Sequence, residues 1–350
     1  MGQRITLRDI AKVAGVHFTT VGLALRKDPR VLPATAAKVL AAARALGYTH
    51  DAMLSALSAY RHRHSPRFAG VIGHIVTYDP KVTLKTNTRE RTMLAAARTY
   101  AQSQGFSIEQ FQINAPGMTG ERLSKLLRAR GIQGLMLSPR LPGPGPIPDL
   151  EWEHFSVVAS GYSITNLPVH RTCPHQAHNV QLCLLELRRR GYRRPGLILS
   201  PPVNVRTRSN ILGAYLADQR AQPAGSRIDP LMEDKVSKST LGRWLAAERV
   251  DSVLLTDYPL EYQGWIRDLG YAVPEEMGIA LLSRSGETDG IAGIDEQMEQ
   301  LGESNARFVI SLLRHNERGL PRFPRYTLVE GCWIDRPTVR PPVAPGSATT

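Results

Sequence analysis

Residues 6–25 read TLRDIAKVAGVHFTTVGLAL, and this stretch decides how the first part of the chain folds. Thr6 with Asp9 three residues on is the pattern of a helix start: a hydroxyl at the N-cap and an acid whose carboxylate reaches back to it. Leu7, Ile10, Ala11 and Ala14 then fall on one helical stripe. Gly15 follows at once, and glycine takes the left-handed conformation that ends a helix sharply. Val16 is placed to plug the corner. A second short helical pattern runs from about His17 to Arg26, with Val21, Ala24 and Leu25 facing inward. Ala11 and Ala24 are small enough to let the two helices approach closely. A helix, a tight glycine turn and another helix within about 20 residues is the helix-turn-helix plan. Pro33 suits the first turn of a third helix. Its apolar face is expected from Val39, Leu40, Ala43 and Leu46, with Gly47 as its stop and Tyr48 packing back on the three-helix core.

Charge points the same way. The 350-residue chain holds 44 Lys and Arg against 31 Asp and Glu, a net of +13. Residues 1–64 carry ten of the cations against Asp9, Asp28 and Asp51, so +7 sits in under a fifth of the length. A basic module at one end of a larger chain suggests a polyanionic partner, nucleic acid before membrane. Charge alone fits a solvated basic face equally well. A small helical bundle without a DNA role is the structural alternative. The turn geometry and the charge occurring together favour DNA.

Composition bounds the remainder. With 42% hydrophobic and 21% charged residues the chain can bury a core, which excludes disorder as its main state. No apolar run approaches the roughly 18 residues a membrane span needs. The opening MGQRITLRDI lacks the apolar core of a secretory signal, so a cytoplasmic protein is expected, nucleoid-associated when bound to DNA. Cys173, Cys183 and Cys332 lack CxxC spacing and are read as reduced, buried thiols.

The head resembles the lac repressor (LacI/GalR) family of bacterial transcription regulators. The matching residues are Thr6-Leu7-Arg8-Asp9-Ile10-Ala11, Ala14-Gly15-Val16, Thr20-Val21, Leu25, and Ala42-Ala43-x-x-Leu46-Gly47-Tyr48. The resemblance implies that the second helix lies in the major groove of duplex operator DNA. The DNA-contacting positions it implies are Thr6, His17, Phe18, Thr19, Thr20, Leu23, Arg26 and Arg30. The family's Thr-Val-Ser-Arg run is here Thr20-Val21-Gly22-Leu23. Leu23 cannot make the bidentate contact to guanine that an arginine makes; it packs on a thymine methyl or a sugar. The family's usual Ser is His17 and its usual Asn is Arg26. His17 fits either a phosphate contact or an ordinary exposed position.

Residues 50-HDAMLSALSAY-60 are similar to the family's hinge helix, with His50-Asp51 where Pro-Asn is usual. Asp51 serves as an N-cap. The resemblance makes Leu57 the wedge that enters the minor groove and unstacks one base step; the alternative is an ordinary linker residue. Arg61, His62, Arg63, His64 and Pro66 follow, a basic linker suited to ordering on DNA.

From Phe68 onward short apolar runs alternate with amphipathic stretches. Strands are expected at 69–76, 107–113, 134–138, 156–160, 195–200, 252–256 and 278–282. Helices are expected at 89–104, 119–130, 175–190, 207–219, 238–248 and 259–269. Such alternation implies parallel sheets covered by helices. LSKLLRARGIQGLMLS (123–138) aligns without gaps to LGRWLAAERVDSVLLT (241–256), which suits two similar lobes. The fold class expected is therefore α/β: a three-helix head, 1–49, and a hinge and linker, 50–67. A two-lobed body of doubly wound parallel sheets, 68–340, then follows the plan of periplasmic binding proteins. The first lobe would take 68–170 and 292–325, the second 171–291 and 326–340. A disordered tail would follow at 341–350.

Ligands of such sheets bind at strand C-terminal ends, here between the lobes. Tyr78 and Asp79 follow the first strand. Arg206 and Arg208 precede Gly213, near the place of the family's ligand-binding arginine. Asp257 matches a family Asp at a strand end, and also reads as a helix N-cap. The family's Gly-x-Asp-Asp near 281–285 is replaced by Leu281-Leu282-Ser283-Arg284-Ser285, which makes Arg284 a candidate contact for an anionic or non-sugar ligand. No phosphate-loop, HExxH, GxSxG or GxGxxG motif occurs, so neither enzyme, metal nor cofactor is expected. The whole reads as a homodimeric DNA-binding regulator, most simply a repressor, modulated by a sugar-like or anionic small molecule, with no membrane partner and no heptad-rich tail for a tetramer. The alternative is a small-molecule-binding protein or enzyme with a non-specific basic head.

Overall fold

A computed structural model describes residues 6–25, 28, 30–46, 69–78, 87–140, 143–256, 259–284 and 288–343. The expected hinge helix with Leu57, the stop at Gly47 and Tyr48, and residues 344–350 of the expected tail lie outside the described residues.

The head has three helices, α1 (Leu7–Ala14), α2 (Phe18–Leu25) and α3 (Pro33–Ala45). Gly15 takes φ 66° and donates its N–H to Ala11, closing α1 as a left-handed cap. Ile10, Ala11, Val21, Ala24, Val39, Ala42 and Ala43 form the core. Leu40 departs from expectation: it is 39% exposed, and Ala42 is buried in its stead. Positions 39, 42, 43 and 46 share one helical face, whereas residue 40 is turned about 100° away from residue 39.

The body contains two sheets. The first has the order β2 (Phe106–Gln112), β1 (Gly70–Val76), β3 (Gly134–Leu137), β4 (Ser156–Ser160), β5 (His170–Pro174), β10 (Tyr326–Val329), all parallel. This is a doubly wound order with an extra edge strand. Helices α4 (Thr88–Ser103) and α11 (Met298–Arg314) bury Ala97, Ala101, Val309 and Ile310 against one face, and α5 (Gly120–Ala129) buries Leu123 and Leu127 against the other. The second sheet runs β6 (Pro195–Ile198), β7 (Ser252–Leu255), β8 (Gly278–Leu281), β9 (Ala292–Asp295), with β11 (Cys332–Ile334) antiparallel at its edge. A single parallel bridge, Ile198 to Leu231, stands where β2 stands in the first sheet. Helices α6 (Gln176–Arg189) and α8 (Asn210–Ala221) cover one face; α9 (Lys238–Glu248) and α10 (Pro259–Asp268) cover the other. Strands buried on both faces are read as near-continuous Val/Ile/Leu runs, and these are.

Two local expectations change. The helix expected over 207–219 starts three residues late, as α8 (Asn210–Ala221), because Arg208 and Ser209 take φ 50° and 56°, and a separate short helix, α7 (Pro201–Arg206), precedes it. Strand β5 was hidden by its polar sequence, HRTCP, whose Arg171 is fully buried and donates to the carbonyls of Gly161, Ile164 and Leu167. Three crossings join the lobes, at 175, 296–297 and 330–331. They put 170–174 and 326–329 in the first sheet and 292–295 in the second, a few residues from the boundaries that strand–helix alternation suggests. Cys173 and Cys183 are buried, but Cys332 is exposed on the edge strand β11. No helix among the described residues is long and apolar enough to cross a membrane.

Helices α4 and α11 touch backbone to backbone at Gly302, where a methyl group would overlap the Met93 carbonyl. Gly302→Ala is expected to lose about 2 kcal/mol or more of stability despite alanine's better helix propensity. Thermal unfolding of the variant checks this; an unchanged melting temperature contradicts the close packing.

Candidate functional site: the recognition face and the interlobe cleft

The head's outer surface follows from its core. Burying Val21 and Ala24 turns the opposite side of α2 to solvent, and His17, Phe18 and Thr19 are all exposed at its start. Thr20 and Leu23 are half-buried at the flanks. His17 Nδ1 and Thr19 Oγ1 lie 2.8 Å apart. Arg8 lies over the Phe18 ring at 5.8 Å, so a cation from α1 joins this face. Thr6 caps α1 through Asp9, whose carboxylate accepts from the Thr6 N–H at 2.7 Å and hydroxyl at 2.6 Å. These bonds, with Lys12 nearby, hold the Asp9 carboxyl below its usual range. Arg30 is engaged within the head: Nε and a terminal nitrogen meet both oxygens of Asp28 at 3.0 and 2.8 Å. Arg26 lies outside the described residues.

In the body, the strand ends carry a polar network that spans the lobes. Glu296, after β9, is 1% exposed. Its carboxylate accepts from Ser283 Oγ at 2.6 Å, from Gln176 Nε2 at 2.8 Å and from the Arg89 guanidinium, which also donates to Ser283. Arg89 belongs to α4 of the first lobe; Gln176 and Ser283 belong to the second. Burial alone would raise the Glu296 carboxyl, but the Arg89 charge and the bonds from Ser283, Arg89 and Gln176 hold it below its usual range. A second bridge crosses elsewhere: Arg208 donates to Tyr326 Oη at 2.9 Å and lies over Tyr162 at 5.6 Å, and the two tyrosines stack at 6.0 Å. The Arg171 guanidinium fixes the 161–167 loop that presents Tyr162.

The expected effector contacts fall unevenly around these bridges. Tyr78 is buried at the end of β1, and burial with the nearby Glu90 pushes its hydroxyl up to about 12. Arg206 is half-buried at the end of α7, and Arg208 is exposed and bridging. Arg284 is turned to its own loop, with Nε donating to the Ile291 carbonyl at 2.7 Å and a terminal nitrogen to Asp289 at 3.1 Å. Asp79 and Asp257 lie outside the described residues. Arg89, Gln176, Ser283, Glu296, Tyr162 and Tyr326 escaped the sequence reading, because their pairings join residues from distant strands with no shared motif.

Glu296→Gln removes the charge that Arg89 neutralises and is expected to lower stability at neutral pH by about 2 kcal/mol, below the usual cost of breaking a fully buried pair because Arg89 is partly exposed. A carboxyl held low in the folded state stabilises above its unfolded pKa, and that contribution is lost as pH falls through the folded value. The difference between wild type and variant should therefore shrink below about pH 4. Thermal melts across pH 3–7 test this, and a gap that persists into acid contradicts it.

Comparison with known proteins bears on both regions. The family model of bacterial regulatory proteins of the lacI family matches residues 6–51. A transcriptional regulator CelR–cellobiose complex shares the fold over 96% of this chain and 100% of its own, with 17% identity and a TM-score of 0.53. The lac repressor dimer bound to operator and the anti-inducer ONPF matches over 97% and 100%, with 16% identity and a TM-score of 0.53. A putative LacI-family regulator from Rhizobium etli matches over 77% and 99%, with 14% identity and a TM-score of 0.59. A search of curated proteins by sequence finds no match. Residues 6–51 thus match the model of the lacI family of bacterial regulatory proteins, and the two-lobed body that follows shares the fold of those solved structures.

Proposed function

We propose that this protein is a homodimeric transcriptional repressor whose grip on operator DNA is set by a small molecule between the lobes. The observation that carries the reading is the lacI-type head with its outward face at His17, Phe18 and Thr19. A major groove admits an α-helix, and the early positions of this one are those that meet base edges in helix-turn-helix proteins. Two heads related by a dyad would bind a near-palindrome. Arg8 beside Phe18 supplies backbone charge, while Arg30, paired with Asp28, contributes less than its sequence position suggests. Thr6, Thr20 and Arg26 complete the proposed contact set, with Leu57 of the hinge as the minor-groove wedge.

The effector is proposed to be sugar-like or anionic and to lie among Tyr78, Asp79, Arg206, Arg208 and Asp257. Arg208 on its stacked tyrosines offers a guanidinium to a carboxylate or phosphate group. Arg284 is engaged with Asp289 and the Ile291 carbonyl, so in this reading it acts by holding those residues more than as a free charge. A ligand that closes the cleft would act through the Arg89–Glu296 and Arg208–Tyr326 bridges, which already tie one lobe to the other. Couplings of this kind are typically about 1–3 kcal/mol. The transcriptional regulator CelR, similar in fold, is solved with cellobiose, which fits the sugar-like branch of the proposal.

A gel shift with the gene's own upstream DNA tests the reading; tighter binding than to random duplex at physiological salt is expected. Equal affinity for both would favour the alternative, a ligand-binding protein with a non-specific basic head. Base readout by α2 has its own test. Leu23→Arg should shift the sequences recovered by in vitro selection toward guanine at one position per half-site, because arginine pairs bidentately with guanine and leucine cannot. An unchanged motif would show that Leu23 does not face bases.

A further inference from the structure

The segment between α11 and β10 reads 314-RHNERGLPRFPR-325, four arginines against Glu317. It runs along the N-terminal ends of the strands of the first sheet, the side on which β1 begins. Ala69, the first described residue after the linker, donates its N–H to the Gly105 carbonyl at 2.7 Å. Arg314 donates to the side chain of Gln104, one residue away, at 2.8 Å. On the other flank of β1, Arg318 donates to Gln133 Oε1 at 3.0 Å. Gln133 precedes Gly134, which is paired with Ile72, so this contact stands level with Val71 and one strand, about 5 Å, to the side. Arg314 and Arg318 therefore bracket the point where the linker joins the body.

The segment is held in place rather than loosely draped. Ser156 Oγ donates to the Glu317 carbonyl at 2.6 Å, the Gly319 N–H to Phe155 at 2.9 Å, and the Arg325 N–H to His170 Nδ1 at 2.9 Å. Most neighbouring acids are already neutralised: Glu317 by Arg325 at 2.6 Å, Glu151 by Arg128 at 2.7 Å, and Glu109 by Arg130; Glu153, beside Gly319, meets only His154, at 3.8 Å, among the described residues. Arg314, Arg318 and Arg322 form no ion pair with a carboxylate among the described residues; Arg322 lies over the Phe323 ring, itself 74% exposed. A shallow cavity of about 200 Å³ opens beside Arg318, lined also by Arg128, Gln133 and His154. The linker leading here adds Arg61, Arg63 and Arg67, and has no acid between Ala52 and Phe68.

We infer that this edge of the body is a second, sequence-independent contact for duplex DNA, in which Arg314 and Arg318 meet backbone phosphates next to the site held by the head. The inference rests on the reading of the head as DNA-binding. Guanidinium groups match phosphate geometry, and most contacts of this kind position a protein without specifying bases. The described body begins at this edge, at Ala69, and a fixed basic rim there adds to the phosphates neutralised.

The salt dependence of binding measures that number. Each phosphate that is no longer neutralised should reduce the slope of log K against log salt by about 0.9. The full-length double variant Arg314→Gln/Arg318→Gln, titrated by fluorescence anisotropy against a random-sequence duplex several helical turns long, is expected to show a slope smaller by about two per protomer in contact, roughly three to four for the homodimer. The charge-matched variant Arg220→Gln/Arg243→Gln, altered at exposed positions of the second lobe, should keep the wild-type slope. Wild-type binding with an unchanged slope in the first variant, or an equal drop in both, overturns the second contact and leaves the head's role intact. A wild-type chain that binds no duplex even at low salt overturns both.

Discussion

The head depends on one packing constraint: Val21 and Ala24 of the second helix are buried against Ile10 and Val39 of the other two. Once those four side chains leave water, the rotation of α2 about its own axis is fixed. His17, Phe18 and Thr19 then point outward whatever their own preferences. Gly15 sets the angle, since a left-handed cap closes α1 within one residue and lets α2 start at once. Each buried aliphatic contributes roughly 1.5–3 kcal/mol, enough to hold a small three-helix unit in one arrangement.

The body solves a different problem. Two sheets that share three crossings have to be coupled without being fused, and polar bridges do this better than an apolar seam. A seam would bury the space a ligand needs. The Glu296 carboxylate is the hub, since it accepts from both lobes and tolerates burial only because Arg89, Ser283 and Gln176 surround it. Arg208 makes the second tie through Tyr326 and Tyr162. A molecule that competes for either arginine changes how the lobes are tied. The proposed regulation by a ligand would act through these two ties.

Much of this was legible in the sequence where local chemistry decides. The Thr6–Asp9 start, the Gly15 turn and the apolar runs of β1, β3, β4, β7 and β8 all depend on residues close together in the chain. Leu40 misled because a leucine beside a core valine looks inward until helical rotation is counted. The late start of α8 misled because Arg208 and Ser209, which take left-handed backbone before it, are not glycine, the usual mark of that conformation. Strand β5 was hidden by Arg171 and His170, polar residues buried for bonds to the adjoining 161–167 loop and to the Arg325 backbone. The interlobe bridges lay beyond reach because topology, not spacing, brings Arg89 to Ser283 and Glu296.

The central claim is that α2 reads the wide groove of a duplex, and hydroxyl-radical footprinting on the gene's upstream DNA tests it most directly. The account predicts two protected tracts about one helical turn apart, symmetric about a shared centre. Weak, even protection that follows no sequence, or a single tract with no partner, would contradict it.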